Sequence, residues 1–362
     1  MRRIAVDAMG GDNAPRAEIE GSLAAVRDGV AVTLVGDEAR LRAEIARSGS
    51  VPSSLTIRNA SQVITMSDHP AQAVRSKKDS SMRVCFELVK RGEADAVVSA
   101  GNSGAMLACG LFVWRRIRGV DRPGIITLCP TRTGGHAVVL DVGANTEVKP
   151  MTLAQYGVMG SVYARLLLGI QRPRVAVLSN GEEETKGTAL TREAHRLLGS
   201  DVAERDFEFV GYVEGRDFFS GHADVVVTDG FTGNVALKTT EGVTRFIIDI
   251  LKAEAARSSR VKLGALLMKP AFDVLKSRLG DEEYGGAPLL GVGGTAIICH
   301  GNATPTAIKN GIRTAARFAD AGLAPAIADA IARHRSMWAG PGEGEAEGDA
   351  SPETSTTADS TT

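Results

Sequence analysis

Short runs of β-branched and other apolar residues, each ending in glycine and small polar residues, recur along the chain. They stand at 4–11 (IAVDAMGG), 32–37 (VTLVGD), 96–104 (AVVSAGNSG), 137–145 (AVVLDVGAN), 175–183 (VAVLSNGEE), 209–217 (FVGYVEGRD), 225–234 (VVVTDGFTGN) and 297–301 (IICHG). Apolar runs without polar alternation read as strands buried on both faces. Stretches of helical pattern separate most of them, at 17–27, 39–47, 82–91, 153–168 and 191–198. Strand, glycine loop and helix in alternation predict an α/β fold, doubly wound and Rossmann-like, with a largely parallel sheet. Ligands of such sheets bind beyond the carboxyl ends of the strands. The glycine loops are therefore expected together along one edge.

One segment departs from this alternation. Residues 245–283 carry a helical pattern with no strand signal, interrupted at Gly264 and Pro270. They predict a helical hairpin projecting from a single α/β domain that spans 1–338. Its apolar residues Leu263, Leu266, Leu267, Met268 and Phe272 are flanked by Arg257, Arg260, Lys262, Lys269 and Lys276. Apolar anchors ringed by cations suit peripheral docking on an anionic membrane surface; a dimer interface or a core hairpin is the alternative. Residues 339–362 are acidic and of low complexity, and are expected to be a disordered tail.

Composition narrows the function classes. Of 362 residues, 43% are hydrophobic, enough for a sizeable core, and only 4% are aromatic, few for a protein that stacks nucleic-acid bases. The net charge of −1 conceals an asymmetry. The tail has six acidic residues and no basic ones, so the body carries a net +5, a weak preference for anionic partners. Four cysteines (Cys85, Cys109, Cys129, Cys299) show no paired spacing, which argues for a reducing compartment without a disulfide framework or zinc knuckle. The N-terminus reaches Asp7 after a short apolar run, unlike a signal peptide, and no apolar run is long enough to span a bilayer. A cytoplasmic protein is expected.

Several loops offer chemistry. Residues 99–104 (SAGNSG) follow a strand and precede a helix, an arrangement that cradles phosphate through free N–H groups with Ser99, Asn102 and Ser103 beside them. The same residues also suit a plain N-cap and turn. In 228–234 (TDGFTGN), Asp229 is placed to orient a substrate or side chain, and Asn234 to donate to a developing oxyanion or to cap a helix. Lys186 lies in 181–188 (GEEETKGT), which is no Walker loop because the glycine follows the lysine. It is either an active-site cation positioned by carboxylates or a paired surface lysine. Arg75 and Lys78 in 75–81 (RSKKDSS) suit anion binding or a solvated turn, with Asp79 or Ser80 as a helix cap. His69 reads as structural. Residues 291–296 match GxGxxA but stand before a strand, so a dinucleotide fingerprint is rejected. No GxSxG or HExxH motif and no metal constellation occurs.

Taken in order, DAMGGDNAP (7–15), RSKKDSSM (75–82), SAGNSGAM (99–106), LDVGAN (140–145), GEEETKG (181–187), VEGRD (213–217), TDGFTGNVALK (228–238) and YGGAPLLGV with IICHG (284–301) resemble the bacterial phosphate acyltransferases. These stretches cover nearly the whole chain to about residue 320. The sequence departs from the family pattern at Ser103, where threonine is usual, at Ser179-Asn180-Gly181, and at Asn302-Ala303, where paired serines are usual. The resemblance implies a Rossmann-like homodimer, related to phosphate acetyltransferase and isopropylmalate-type dehydrogenases. It implies conversion of acyl-(acyl carrier protein) and inorganic phosphate into acyl phosphate for phospholipid synthesis, without a cofactor or metal. The implied partners are acyl carrier protein, an anionic membrane surface and a membrane glycerol-3-phosphate acyltransferase; nucleic acid is not among them.

Attack of phosphate on a thioester needs a desolvated, positioned phosphate and preorganised donors for the oxyanion. Lys186 and Asn234 are assigned to the oxyanion and thiolate, Asp229 to orienting them, and Ser99, Asn102, Ser103, Lys78 and Arg75 to phosphate or the pantetheine end. Cys299 and His300, adjacent on a strand, point to opposite faces, so direct attack is favoured over an acyl-enzyme. Three alternatives stay open: an acyl-CoA-using phosphate acetyltransferase, a non-catalytic membrane-associated scaffold, and a dehydrogenase.

Overall fold

The computed structural model describes residues 1–47, 51–200, 205–271 and 285–338. Among these, eleven strands form one sheet: β1 (Arg3–Asp7), β2 (Ala31–Gly36), β3 (Leu55–Asn59), β4 (Ala96–Ser99), β5 (Gly124–Pro130), β6 (His136–Leu140), β7 (Arg174–Leu178), β8 (Glu208–Val213), β9 (Val225–Val227), β10 (Ala287–Leu290) and β11 (Ala296–Ile298). Their spatial order is β3-β2-β1-β4-β11-β10-β5-β6-β9-β7-β8. The helices are α1 (Arg16–Arg27), α2 (Glu38–Ala46), α3 (Pro70–Ser76), α4 (Ser81–Lys90), α5 (Ser103–Cys109), α6 (Pro150–Leu168), α7 (Ala189–Gly199), α8 (Gly230–Arg257), α9 (Ser259–Leu267), α10 (Pro305–Ala321) and α11 (Leu323–Arg333). The doubly wound, mostly parallel α/β sheet expected from the apolar runs is present, and all eight of those runs form strands.

The sheet has two parallel halves joined through antiparallel strands. β3, β2, β1, β4 and β11 run parallel to one another, as do β6, β9, β7 and β8. Between them β11–β10, β10–β5 and β5–β6 are antiparallel. Three reversals leave the halves running in opposite directions. The glycine loops of the two halves therefore leave by opposite edges, which corrects the expectation of a single shared edge. β5 and β10, the strands that make the junction, and β3 are not among the eight runs singled out in the sequence, although glycines follow both β5 and β10.

Apolar side chains fill both faces of the sheet. Ile19 of α1, Tyr156 and Met159 of α6 and Phe318 of α10 cover one face; Phe86 of α4 and Met106 of α5 lie on the other. The GxGxxA stretch at 291–296 does follow a strand, β10, but it leads into antiparallel β11 and not into a helix. It is a hairpin connection.

The expected projecting hairpin takes a different form within the described residues. α8 starts at Gly230, well before 245, and runs for 28 residues. The break falls at Ser258, whose backbone is extended, and α9 continues through Gly264. A glycine inside a helix costs only about 1 kcal/mol relative to alanine, so it need not end one. Leu266 and Leu267 are 65% and 76% exposed, and Leu263 and Met268 are exposed as well. Phe272, Lys276 and the remainder of the segment to 283 lie outside the described residues, as does the acidic tail.

Candidate active site

A cleft of about 890 Å³ lies between the two halves. The first half supplies Gly101 and Ser103 from the loop after β4 and the start of α5, with His300 and Gly301 from the loop after β11. The second half supplies Val142 and Gly143 from the loop after β6, and Asn234, Leu237 and Lys238 from α8. Ile125, Thr127, Ala287 and Ile298 form the floor.

Local chemistry places each wall. Asp7 ends β1 and is buried; it accepts from the Ser99 hydroxyl at 2.7 Å, and Ser99 Oγ in turn accepts from the Gly101 N–H at 3.0 Å. Asp141 ends β6 in the corresponding way. Its Oδ1 accepts from the N–H groups of Ile125, Gly143 and Ala144 at 3.0, 3.1 and 2.9 Å, and its Oδ2 from Asn145 N at 2.8 Å. Burial pushes both carboxyls above the usual range, against the hydrogen bonds that favour the ionised form. Asp141 thus holds the glycine loop that follows it, and Asp7, through Ser99, the glycine loop that follows β4. Asp229 is the N-cap of α8, accepting from Thr232 N and Oγ1, both at 2.8 Å. At Gly233 a Cβ would overlap the Asp141 carbonyl oxygen, so α8 packs against the end of β6 only with glycine there. That close approach sets Asn234 within 3.8 Å of the point where a Cβ on Gly143 would stand. Starting from the opposite edge, α8 crosses towards the first half and brings Lys238 and Glu241 beside His300. Lys238 Nζ lies 2.8 and 2.9 Å from the Glu241 carboxylate, and His300 Nε2 lies 3.9 Å from it.

The structure divides the expected site residues. Ser103 and Asn234 line the cleft together. Ser99 lies beneath it, buried, with its hydroxyl engaged by Asp7 and Gly101. Asn102 is the N-cap of α5: its Oδ1 accepts from Ala105 N at 3.1 Å while its Nδ2 donates to the carbonyls of Thr65, Met66 and Asp68, each at 3.3 Å. Asp229 caps α8, so Asn234, farther along the helix, is no cap. Lys186, Lys78 and Arg75 are exposed and are not among the cleft-lining residues. The Arg75 guanidinium stacks over the Phe112 ring at 4.7 Å.

Lys238 and His300 were missed as cleft residues. The spacing of Lys238, four residues after Asn234 in a helix, was a usable signal, because i and i+4 share a face. Cys299 is buried, and burial pushes its thiol up to about 12, so it stays protonated near neutral pH. Cys299 and the exposed His300 lie just past the end of β11, not on a strand as expected, and both border the cleft. Among the described residues no group of histidines, cysteines and carboxylates is arranged to hold a metal ion, and no helix is long and apolar enough to cross a membrane. The cleft therefore offers a hydroxyl, an amide, a lysine and an imidazole above an apolar floor. Such a set can hold an anion against a carbonyl carbon and donate to the oxyanion that forms.

Residues 2–325 match the family described as fatty acid synthesis protein. The chain is 51% identical over 322 residues to a phosphate acyltransferase of Geotalea daltonii, covering 89% of this chain and 92% of that protein. It is 52% identical over 330 residues to one from Geobacter sp. M21, covering 91% and 92%. Among solved structures it is similar to a phosphotransacetylase from Streptococcus pyogenes, with a TM-score of 0.60 at 16% identity over 88% of this chain and 94% of that one. A phosphotransacetylase from Staphylococcus aureus gives a TM-score of 0.57 at 17% identity with the same coverage. Similarity at that level speaks for the fold; the sequence matches speak for the chemistry, and by them the chain belongs to the phosphate acyltransferases, enzymes that transfer acyl groups.

Proposed function

We infer that the cleft binds inorganic phosphate beside the thioester of an acylated carrier protein and forms acyl phosphate, releasing the carrier thiol. The observation that carries this reading is the meeting of Ser103 and Asn234, from opposite halves of the sheet, in one cleft with Lys238 and His300. A phosphate oxygen attacks the thioester carbonyl carbon. The tetrahedral oxyanion takes a hydrogen bond from the Asn234 amide, and its collapse breaks the carbon–sulfur bond. The thiolate leaves without strong acid catalysis. Lys238, tethered to Glu241, supplies positive charge at the phosphate, and Ser103 supplies a hydroxyl. An acyl-enzyme on Cys299 is disfavoured by its protonated, buried thiol.

The exposed Lys186 acts in this scheme only where the substrate extends to the loop after β7. Asp229 serves by fixing the start of α8, and the exposed Arg75 and Lys78, outside the cleft, suit contact with an anionic carrier. The exposed apolar residues of α8 and α9 suit a homodimer contact or an anionic membrane surface from which a glycerol-3-phosphate acyltransferase would take the product for phospholipid synthesis.

The test incubates the purified chain with acyl carrier protein thioester and labelled phosphate and measures acyl phosphate. Asn234→Ala is expected to lose about 100-fold or more in kcat, the loss typical of one oxyanion donor. Near-normal turnover by folded Asn234→Ala would remove it from the mechanism, and the same result for Lys186→Ala would remove the lysine. Acyl-CoA turned over in preference to the carrier thioester would favour the coenzyme A reading.

A further inference from the structure

The sheet does not close completely at its middle. β5 pairs with β6 along its length from Ile126 to Pro130, but with β10 only at Gly124 and Ile125. The next position on β10 is Pro288, which has no N–H to give. Beyond it the two strands share no pairing. The cleft enters this gap. Its lining takes in Thr127 and Ala287, on the face covered by α5 and α8. It also takes in Leu128 and Pro288, which alternation places on the opposite face. From there the cavity follows α6 and α10 past Tyr163, Leu167 and Leu168 to Thr314 and Arg317. A single cavity lined from both faces requires an opening through the sheet.

Its character changes along its length. The mouth holds Ser103, Asn234, Lys238 and His300. Past the gap, Leu128, Leu167, Leu168, Pro288 and the Tyr163 ring form an apolar stretch, bordered by His136 of β6 and by Thr314 and the exposed Arg317 of α10. A phosphate or an amide placed among these apolar groups would lose its hydrogen bonds to water without replacement, whereas hydrocarbon would gain by leaving water. The whole cavity, about 890 Å³, is near the upper end of the roughly 300–1,000 Å³ usual for ligand pockets, more than a short acyl group needs.

We propose that the hydrocarbon tail of the acyl substrate threads the gap between β5 and β10 and lies against α6 and α10, leaving its carbonyl at the mouth beside Asn234. This rests on the thioester reading above and adds to it a physical basis for selecting long chains. An acetyl group ends before the gap and gains nothing from the far face. A long chain buries successive methylenes there, and Thr314, Leu167 and Leu168 set how many.

The experiment measures kcat/KM for acyl phosphate formation from butyryl and palmitoyl thioesters of acyl carrier protein, in the wild type and in Thr314→Trp and Leu168→Trp, on separate helices. Thr314→Phe serves where the larger ring prevents folding, judged by thermal melting. Filling the far arm is expected to lower palmitoyl turnover at least about tenfold, which the loss of two buried methylenes already gives, and to leave butyryl turnover within about twofold. Equal changes for both chains, or none in a folded variant, overturn the proposal. Equilibrium dialysis with labelled palmitate separates this from failure of the catalytic reading. Should the wild type turn over neither thioester, weaker palmitate binding by Thr314→Trp still supports the channel, and unchanged binding refutes it.

Discussion

Glu18 gives the sharpest stability prediction. It sits on α1 and is 1% exposed, beneath the loop that follows β1. Its Oε1 occupies the space that a Cβ on Gly11 would need, and its Oε2 has no hydrogen-bond partner. Desolvation, with a smaller repulsion from Asp7, raises its carboxyl from 4.5 to about 7. At about 1.4 kcal/mol for each tenfold change, ionising it in the fold costs about 3 kcal/mol relative to the unfolded chain. The sign follows from proton binding. Below about pH 4.5 both states carry the proton and there is no penalty. Between about pH 4.5 and pH 7 the unfolded chain releases it first, so stability falls as pH rises. Above about pH 7 the folded carboxyl ionises as well and the loss is complete. Glu18→Gln keeps the shape and removes the titration. Urea unfolding of both proteins from about pH 4.5 to pH 8 should show the variant gaining about 3 kcal/mol on the wild type across that range. Other titrating groups, including Asp7, act in both proteins and largely cancel in the difference. Parallel stability curves would show that Glu18 is either solvated or paired, and the reasoning would fail.

Two further outcomes are expected. Gly233→Ala forces α8 away from the Asp141 carbonyl oxygen and should cost about 1–3 kcal/mol in unfolding free energy, while lowering turnover by displacing Asn234; a variant with unchanged melting and activity would show that the helix start is not tightly seated. In co-sedimentation with anionic vesicles, Leu266→Glu combined with Leu267→Glu should lose binding if α9 is the membrane contact. Equal binding by the wild type and the double variant would assign those exposed leucines elsewhere.

The apolar runs determined the α/β class by themselves, because strands buried on both faces leave no polar alternation and eight such runs alternated with helical stretches. The ordered glycine motifs likewise carried the family. Individual roles were less legible. In the local pattern Asn102 and Ser103 look equivalent, yet one spends its side chain capping α5 and tying down residues 65–68 while the other faces the cleft. Lys186 looked catalytic amid its glutamates but lies outside the cleft, whereas Lys238 reaches it because α8, crossing from the second half, carries it on the same face as Asn234. That crossing depends on the relative direction of the two half-sheets, set by antiparallel β5 and β10. Strand direction arises from pairings between distant segments, and a local run of residues reads the same whichever way its neighbours point. The sequence alone thus determined which elements form and which chemistry the chain carries. Only the tertiary structure decided that the two halves oppose one another, that their junction stays open beyond Pro288, and which side chains therefore share one cavity.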